Sequence, residues 1–467
     1  MTSGNNLNAL PIVVENDTIY PPIHRLPPET MSKIFLSCLE PSVTYQFNIP
    51  RCSVRSPPLS ISFVCHSWRT LSLQTPRLWA AIAIGHEDGM FDIARVKEWM
   101  ARSRRCPFLI ELTLPRGILN HQKDIVPIIA ENSSRWKALR LRIPNSTPAT
   151  ERLIPWAADS VPQLEEFRLE FYSPHSFIRW RFQDSLFHQL STLCLQGSQF
   201  PFRVNSQRPC SLQHVFIDAL EGAEAFLAII DNCPFPQVLE CTIVSMGADY
   251  IPPPAVLAST TMHTLKISSD DYNIGQLLET LHLPNLESLS MDRGRRAFPT
   301  LSPHLQSMIN YSRPPLREVG IWGDISAEDV IEILRLVPGL RSIGGDIMFT
   351  QSDFAVVRAM VPYVPRNRPL CPQVEKFTVH LPDDAYRKFA WMLSSRWDHA
   401  IPQTSGSILS YASLNERAVS PPLNVVILGN EDDGETFSRV LGVSRCVSKG
   451  TKVTTQSFES LLYHPSF

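Results

Sequence analysis

The sequence predicts an α/β chain: a small helical module, then an irregular solenoid with a parallel strand face. Three observations predict it. A proline-bounded stretch near the N-terminus carries two helical apolar stripes, one short apolar phrase occurs ten times from residue 136 onward, and helical periodicity fills gaps between copies.

At 467 residues the chain has room for two or three domains, or for one elongated repeat array. Its hydrophobic share of 43% and charged share of 19% suit a folded chain rather than a disordered one. A formal net charge of −2 supplies no basic field, so neither nucleic acid nor an anionic membrane is an expected partner. The apolar runs Ala80 to Ile84 and Ala255 to Leu257 are too short to span a bilayer. The opening MTSGNNLNALPIVVEN lacks the basic start of a secretory signal, so the sequons at Asn16, Asn132, Asn145 and Asn310 read as chance matches. The ten cysteines are scattered without a C-x-x-C pair. That fits reduced thiols and a location in the cytoplasm, the nucleus or both. Nine lysines stand against thirty-four arginines, by codon bias or by selection against self-modification on lysine.

Residues 1–22 read as a disordered segment and 23–84 as the module. Pro27 and Pro28 suit a helix start, and Glu29 favours its positive end. Met31, Ile34, Phe35, Cys38 and Leu39 then form one apolar stripe, ended by Glu40-Pro41. A proline-rich loop follows, and a second helix is expected from about Leu59 to Ser72. Leu59, Phe63, Val64 and Leu71 would pack inward, with Cys65, Trp68 and Arg69 on an adjoining face. Thr75-Pro76 breaks the pattern and Arg77-Leu78-Trp79 begins a closing turn. So small a unit buries little of its own surface, which leaves Trp68, Leu78 and Trp79 as an exposed surface suited to a protein partner.

This stretch resembles the F-box. Leu26-Pro27-Pro28-Glu29 matches its opening, Ile34-Phe35 its first helix, Val64-Cys65-His66-Ser67-Trp68-Arg69 its second, and Thr75-Pro76-Arg77-Leu78-Trp79 the close common in fungal members. The long spacer between helices is similar to that of mushroom-type fungal members. The resemblance implies a non-catalytic subunit of a Skp–cullin–F-box ubiquitin ligase, bound to the Skp-family adaptor and through it to a cullin. It also implies that Leu26, Pro27, Ile34, Phe35, Leu39, Val64, Cys65, Trp68, Leu78 and Trp79 face the adaptor or support that interface, although Phe35 and Val64 could equally belong to the module's own core.

The recurring phrase is an apolar residue followed, three and five positions on, by an alternating apolar pair. Its copies begin at Trp136, Leu164, Leu190, Leu212, Val238, Met262, Leu286, Leu316, Leu340 and Val374. Their spacing runs from 22 to 34 residues and averages roughly 26, within the range of leucine-rich repeats. The alternating pair fits a strand with one buried face. Helical stripes lie at Ala223–Asp231, Ile274–Leu281, Ala327–Leu336 and Phe354–Met360, and Ser326 with Asp329 reads as a capping box. The expected layout is a linker and first unit over 85–135, an irregular leucine-rich-repeat-like solenoid over 136–397 with no asparagine ladder, and a flexible loop, capping strand–helix and tail over 398–467. A helix near Ala385–Trp397, a strand at Leu423–Leu428 and a helix at Glu435–Leu441 complete it. The alternative is a non-solenoid α/β domain.

No phosphate-binding loop, dinucleotide fingerprint, zinc-protease motif or nucleophile elbow is present. The acidic clusters Glu431-Asp432-Asp433 and Asp270-Asp271 read as solvated turns, His66 as a surface residue, and Arg102, Arg104 and Arg105 as a solvated linker. No metal or cofactor is expected. Arg168, Lys266, Arg317, Arg341 and Lys376 lie near strand positions, where Glu165, Glu166, Glu287, Glu318 and Glu375 would cancel much of their field. The expected function is substrate reception, with the adaptor on the module and an unidentified protein target on the strand face. The alternative is an adaptor-bound scaffold without a role in ubiquitination.

Overall fold

Each recurring phrase lies on a strand, and successive strands stack side by side in sequence order. The computed structural model describes residues 22–39, 55, 57–85, 93–114, 119–144, 153, 161–171, 186, 189–197, 210–220, 222–244, 256–269, 274–292, 302–322, 327–345, 370, 371, 373–379, 387, 389–394, 424–428, 447 and 452–456. Within them a parallel sheet of fourteen strands runs through β1 (Ala81–Ile84), β2 (Phe108–Thr113), β3 (Trp136–Ile143), β4 (Glu166–Phe171), β5 (Thr192–Gln196), β6 (His214–Leu220) and β7 (Val238–Ile243). It continues through β9 (Thr264–Ser269), β11 (Ser288–Asp292), β12 (Glu318–Trp322), β13 (Ser342–Gly345), β14 (Lys376–Val379), β15 (Asn424–Leu428) and β16 (Lys452–Gln456). Two short strands, β8 (Leu257–Ala258) and β10 (Leu281–His282), form a second parallel pair. The chain is therefore a mixed helix-and-strand protein with a long parallel sheet, the arrangement of an α/β solenoid.

Alternation along each strand aims one set of side chains at the core, and in-register pairing lines those sets up between repeats. Ile82, Ile110, Leu139, Phe167, Leu193, Val215, Leu239, Leu265, Leu289, Val319, Ile343, Phe377 and Val425 form one continuous buried row. A second row two residues on includes Leu112, Leu141, Leu169, Leu195, Ile217, Cys241, Ile267, Met291 and Ile321. Each fully buried aliphatic side chain contributes about 1.5–3 kcal/mol. The first apolar residue of the phrase tucks beneath this layer: Leu164, Leu190, Leu212, Met262, Leu286 and Leu340 are wholly buried.

The copy expected to start at Val238 is corrected. Leu239 pairs with Val215 and Leu265 in the buried row, which puts Val238 on the opposite, open face, and buried Pro236 holds the anchor position. Cys241 stands in the second buried row, opposite Ile217 and Ile267, so the copy is displaced by two residues, and the position three before its first inward residue, Leu239, is Pro236.

An asparagine ladder is replaced by backbone. The amide just before each strand donates to the equivalent carbonyl of the preceding repeat. The line runs from Glu165 to Lys137, Ser191 to Glu165, Gln213 to Ser191, Gln237 to Gln213, His263 to Gln237, and on through Glu287, Arg317, Arg341 and Glu375 to Asn424, all at 2.7–2.9 Å. Peptide groups at the strand entrance are thus satisfied whatever side chain stands there.

Helices return the chain between strands: α4 (Ile93–Arg102), α5 (Leu119–Ala130), α6 (Ala223–Asn232), α7 (Ile274–Glu279), α8 (Ser302–Ser312) and α9 (Ala327–Leu336), after α1 (Pro28–Ser37), α2 (Leu59–Ser62) and α3 (His66–Leu73) of the N-terminal unit. Three of the expected segments are helical, although α7 stops at Glu279 because Leu281 joins β10. Part of the expected Ala385–Trp397 helix, 389–394, is helical. Ser326, Phe354–Met360, 399–421 and Glu435–Leu441 lie outside the described residues. The sheet begins at Ala81 rather than after a linker: β1, α4, β2 and α5 already form strand–helix layers, and β16 adds a strand beyond the expected cap.

In the N-terminal unit, the single helix expected over Leu59–Ser72 is two. Residues 63–65 interrupt it, and Cys65, in extended conformation (φ −157°, ψ 172°), caps α3 by accepting the Trp68 amide on its Sγ at 3.5 Å. The break turns Phe63 and Val64 outward, 57% and 59% exposed, against the expectation that they pack inward. Of the first helical stripe, Met31 and Phe35 are buried, whereas Ile34 is 40% exposed and Cys38 is exposed.

Phe167→Ala, in the middle of the buried row, costs about 3–5 kcal/mol. Thr192→Ala, on the open face of β5, costs no more than about 0.5 kcal/mol. Urea midpoints of the two variants measure the difference.

Candidate functional site

Two surfaces are candidates for binding: the outer face of the N-terminal unit and the open face of the sheet. The unit is held together from within. Phe35 packs on Trp68 with ring centroids 5.0 Å apart, and the Ser32 and Thr75 hydroxyls meet at 3.3 Å. Thr75 also donates to the Leu71 carbonyl at 2.8 Å, and Arg69 donates to the Ser62 carbonyl at 3.1 Å across the break between α2 and α3. Leu59, Leu71, Leu39 and Trp68 are partly buried against this core.

Leu78 and Trp79, expected on the exposed surface, have no exposed area at all. Trp79 donates its indole N–H to the Ser72 carbonyl at 2.9 Å and meets Trp99 of α4 edge-on at 5.0 Å. Trp99 in turn donates to the Ala81 carbonyl of β1 at 3.1 Å. Arg102 lies over the Trp79 ring at 4.5 Å and pairs with Glu98 at 2.9 Å, so it belongs to this joint and not to a solvated linker. The chain passes directly from Trp79 into β1, and neighbouring α4 supplies the cover that the sequence alone does not identify. Among the described residues of the unit the large apolar side chains left outward are Ile23, Leu26 and Leu73 (38% each), Ile34, Phe63 and Val64, and Pro27 is exposed too. His66, the first residue of α3, is exposed.

Many of the charges expected to cancel do so as specific pairs, on the open face and at the strand entrances. Arg140 of β3 and Arg168 of β4 converge on Glu166 at 2.8 and 2.7 Å, with side chains 12%, 26% and 14% exposed. Arg142 grips Glu170 with two hydrogen bonds of 2.7 and 2.9 Å. Lys266 pairs with Glu240 at 3.3 Å, Lys137 with Glu165 at 3.4 Å, Arg317 with Glu287 at 3.5 Å and Arg341 with Glu375 at 3.8 Å. Arg140, Arg142, Glu170 and Glu240 escaped the sequence reading, although each occupies the polar alternate position of its strand. Farther along, this face turns small. The indole of Trp322 lies across Gly320 and Gly344 and donates to Ser290 Oγ at 3.2 Å, and a β-carbon at Gly320 would crowd it.

Burial tunes the titratable groups here. It raises the Glu240 carboxyl against the opposing pull of Lys266. It lowers His214, with Arg168 adding to the effect, and pushes the Cys194 thiol up to about 12. The buried thiols of Cys233 and Cys241 are also raised, the first chiefly by its hydrogen bond with Cys210 and the second by burial. None of these groups is poised as a nucleophile. Among the described residues no set of three or more His, Cys, Asp or Glu side chains could hold a metal ion, and no helix is long and apolar enough to cross a membrane.

No protein-family model matches the chain, and no curated protein is significantly similar to it.

Stability responds to pH through the lowered His214. The unfolded chain takes up a proton near the ordinary histidine value of 6.5, before the folded chain does, so His214 costs stability as pH falls below that value. Thermal melts of wild type should drop on this descent, and His214→Gln should remove that part of the drop; identical slopes would refute the assignment.

Proposed function

We propose that the chain is the substrate-recognition subunit of a Skp–cullin–F-box ubiquitin ligase. Its N-terminal unit is read as an F-box bound to the Skp-family adaptor, and the sheet as a degenerate leucine-rich-repeat solenoid whose open face receives a protein target. The observation that carries the reading is a division of labour within one short unit. Met31, Phe35, Leu78 and Trp79 are buried, whereas Leu26, Ile34, Phe63 and Val64 stand outward on a fold too small to cover them. An apolar surface of that kind next to a rigid repeat array supports a docking role.

The mechanism is positional. A receptor of this type supplies no chemical group; it raises the effective concentration of a target lysine near the charged ubiquitin carrier. The Trp79–Trp99 joint contributes by limiting the swing between docking unit and target-binding face. Arg–Glu pairs that already satisfy each other favour a target read by shape and matched hydrogen bonds over one captured by bulk charge.

Ile34→Asp with Val64→Asp should abolish co-purification of a Skp-type adaptor without lowering the melting temperature, because both side chains are exposed. Trp79→Ala should instead cost about 3–5 kcal/mol of stability. Undiminished adaptor capture by the double aspartate variant would sink the reading.

A further inference from the structure

Beside the N-terminal unit, α4 and α5 flank an open groove of about 700 Å3. Its floor is apolar, with buried Met100 from α4 and half-buried Pro127 and Ile128 from α5. Its two walls carry opposite charge. The α4 side, continued through the following turn, presents Lys97 and Arg104; the α5 side presents Asp124 and Glu131. All four are exposed, and among the described residues none of them forms an ion pair.

Repeat geometry sets these charges opposite one another. The two helices end at Arg102 and Ala130 and the strands after them begin at Phe108 and Trp136, an offset of 28 residues in both before a bulge lengthens it within the strands. The same offset brings Lys97 level with Asp124 and Arg104 level with Glu131, each to within one residue. Seven residues separate the charges on each wall; along α5 that is two helical turns or about 10 Å, and on the other wall Arg104 stands two residues past the end of α4. Cation therefore faces carboxylate at two heights, across a gap that the side chains do not close. The remaining cation, Arg135, is already committed: it donates to the Ser103 hydroxyl, the Cys106 carbonyl and Asn132 Oδ1.

We propose that this groove docks an amphipathic helix of a partner protein, with carboxylates along one flank, cations along the other and an apolar stripe between. A helix repeats its side chains at the spacing of the walls, so residues seven apart on each flank meet both heights at once, and the stripe covers Met100, Pro127 and Ile128. Charge complementarity selects this occupant: a uniformly acidic or basic segment satisfies one wall and opposes the other. The site is separate from the apolar face proposed for the adaptor and does not depend on that reading.

The test uses the full chain and three labelled model helices of about 14 residues, roughly 20 Å long, that share one leucine stripe. The first carries glutamate on one flank and lysine on the other, the second glutamate on both, the third lysine on both. Exchanging the two flanks is no control, because that helix lies down in the opposite direction. In fluorescence anisotropy the mixed-flank helix should bind about tenfold more tightly than either single-sign helix, the effect of losing two exposed ion pairs. The variant Lys97→Glu with Arg104→Glu makes both walls acidic and should move the preference to the all-lysine helix, with an unchanged melting temperature. Equal binding of the three helices, failure to bind any, or a preference unmoved in the variant would overturn the proposal. So would tightest wild-type binding of the all-glutamate helix, which would make the groove a simple anion site. A dimer in sedimentation that the variant dissolves would also overturn it, since the occupant would then be a second copy.

Discussion

A strand in this chain can bury its apolar side only because the strand of the next repeat lies beside it in register. Each repeat supplies four to eight strand residues and two or three inward side chains, too little for a core of its own. Stacked in parallel, those side chains become rows that run from Ile82 to Val425. The backbone line through Lys137, Glu165, Ser191, Gln213 and Gln237 holds the strand entrances at hydrogen-bond distance and so keeps the rows aligned. Stability in such an array is shared between neighbours, and a break in one row weakens the repeats on either side.

The same register decides the character of the open face. Alternate residues project there at strand spacing, close enough for Arg140 and Arg168 to share Glu166 and for Arg142 to grip Glu170. Charges that look abundant in the sequence are consumed locally, which lowers the long-range field. The pairs of Arg140 with Glu166 and of Arg142 with Glu170 also strengthen the sheet, since they link adjacent repeats on the side away from the core.

At its N-terminal end the sheet is joined to the helical unit by tryptophans. Trp79 closes the unit's core, meets Trp99 of the first return helix, and is capped by Arg102, while Trp99 bonds the first strand. A residue that the sequence leaves as an adhesive surface becomes part of a buried joint. The outward apolar surface is displaced to Leu26, Ile34, Phe63 and Val64, and Phe63 and Val64 face out because Cys65 starts a new helix. The exposure of these two side chains thus depends on a cap that interrupts a helix.

Period and parity are local properties, and the sequence by itself determined the features that rest on them. These are a helical start, alternating strands at ten phrase positions, helices at Ala223, Ile274 and Ala327, and the strand near Val425. Motif order alone brought Leu26 to Trp79 together as one unit. The tertiary structure decided whatever depends on neighbours. It chose Pro236 over Val238 as anchor, because only the flanking strands fix the register. It buried Leu78 and Trp79, because their cover comes from α4, some twenty residues on in a stretch that reads as linker. It paired open-face charges whose partners lie roughly a repeat apart, and brought Lys97, Arg104, Asp124 and Glu131 to the lining of one groove, a relation visible only once two repeats are laid side by side.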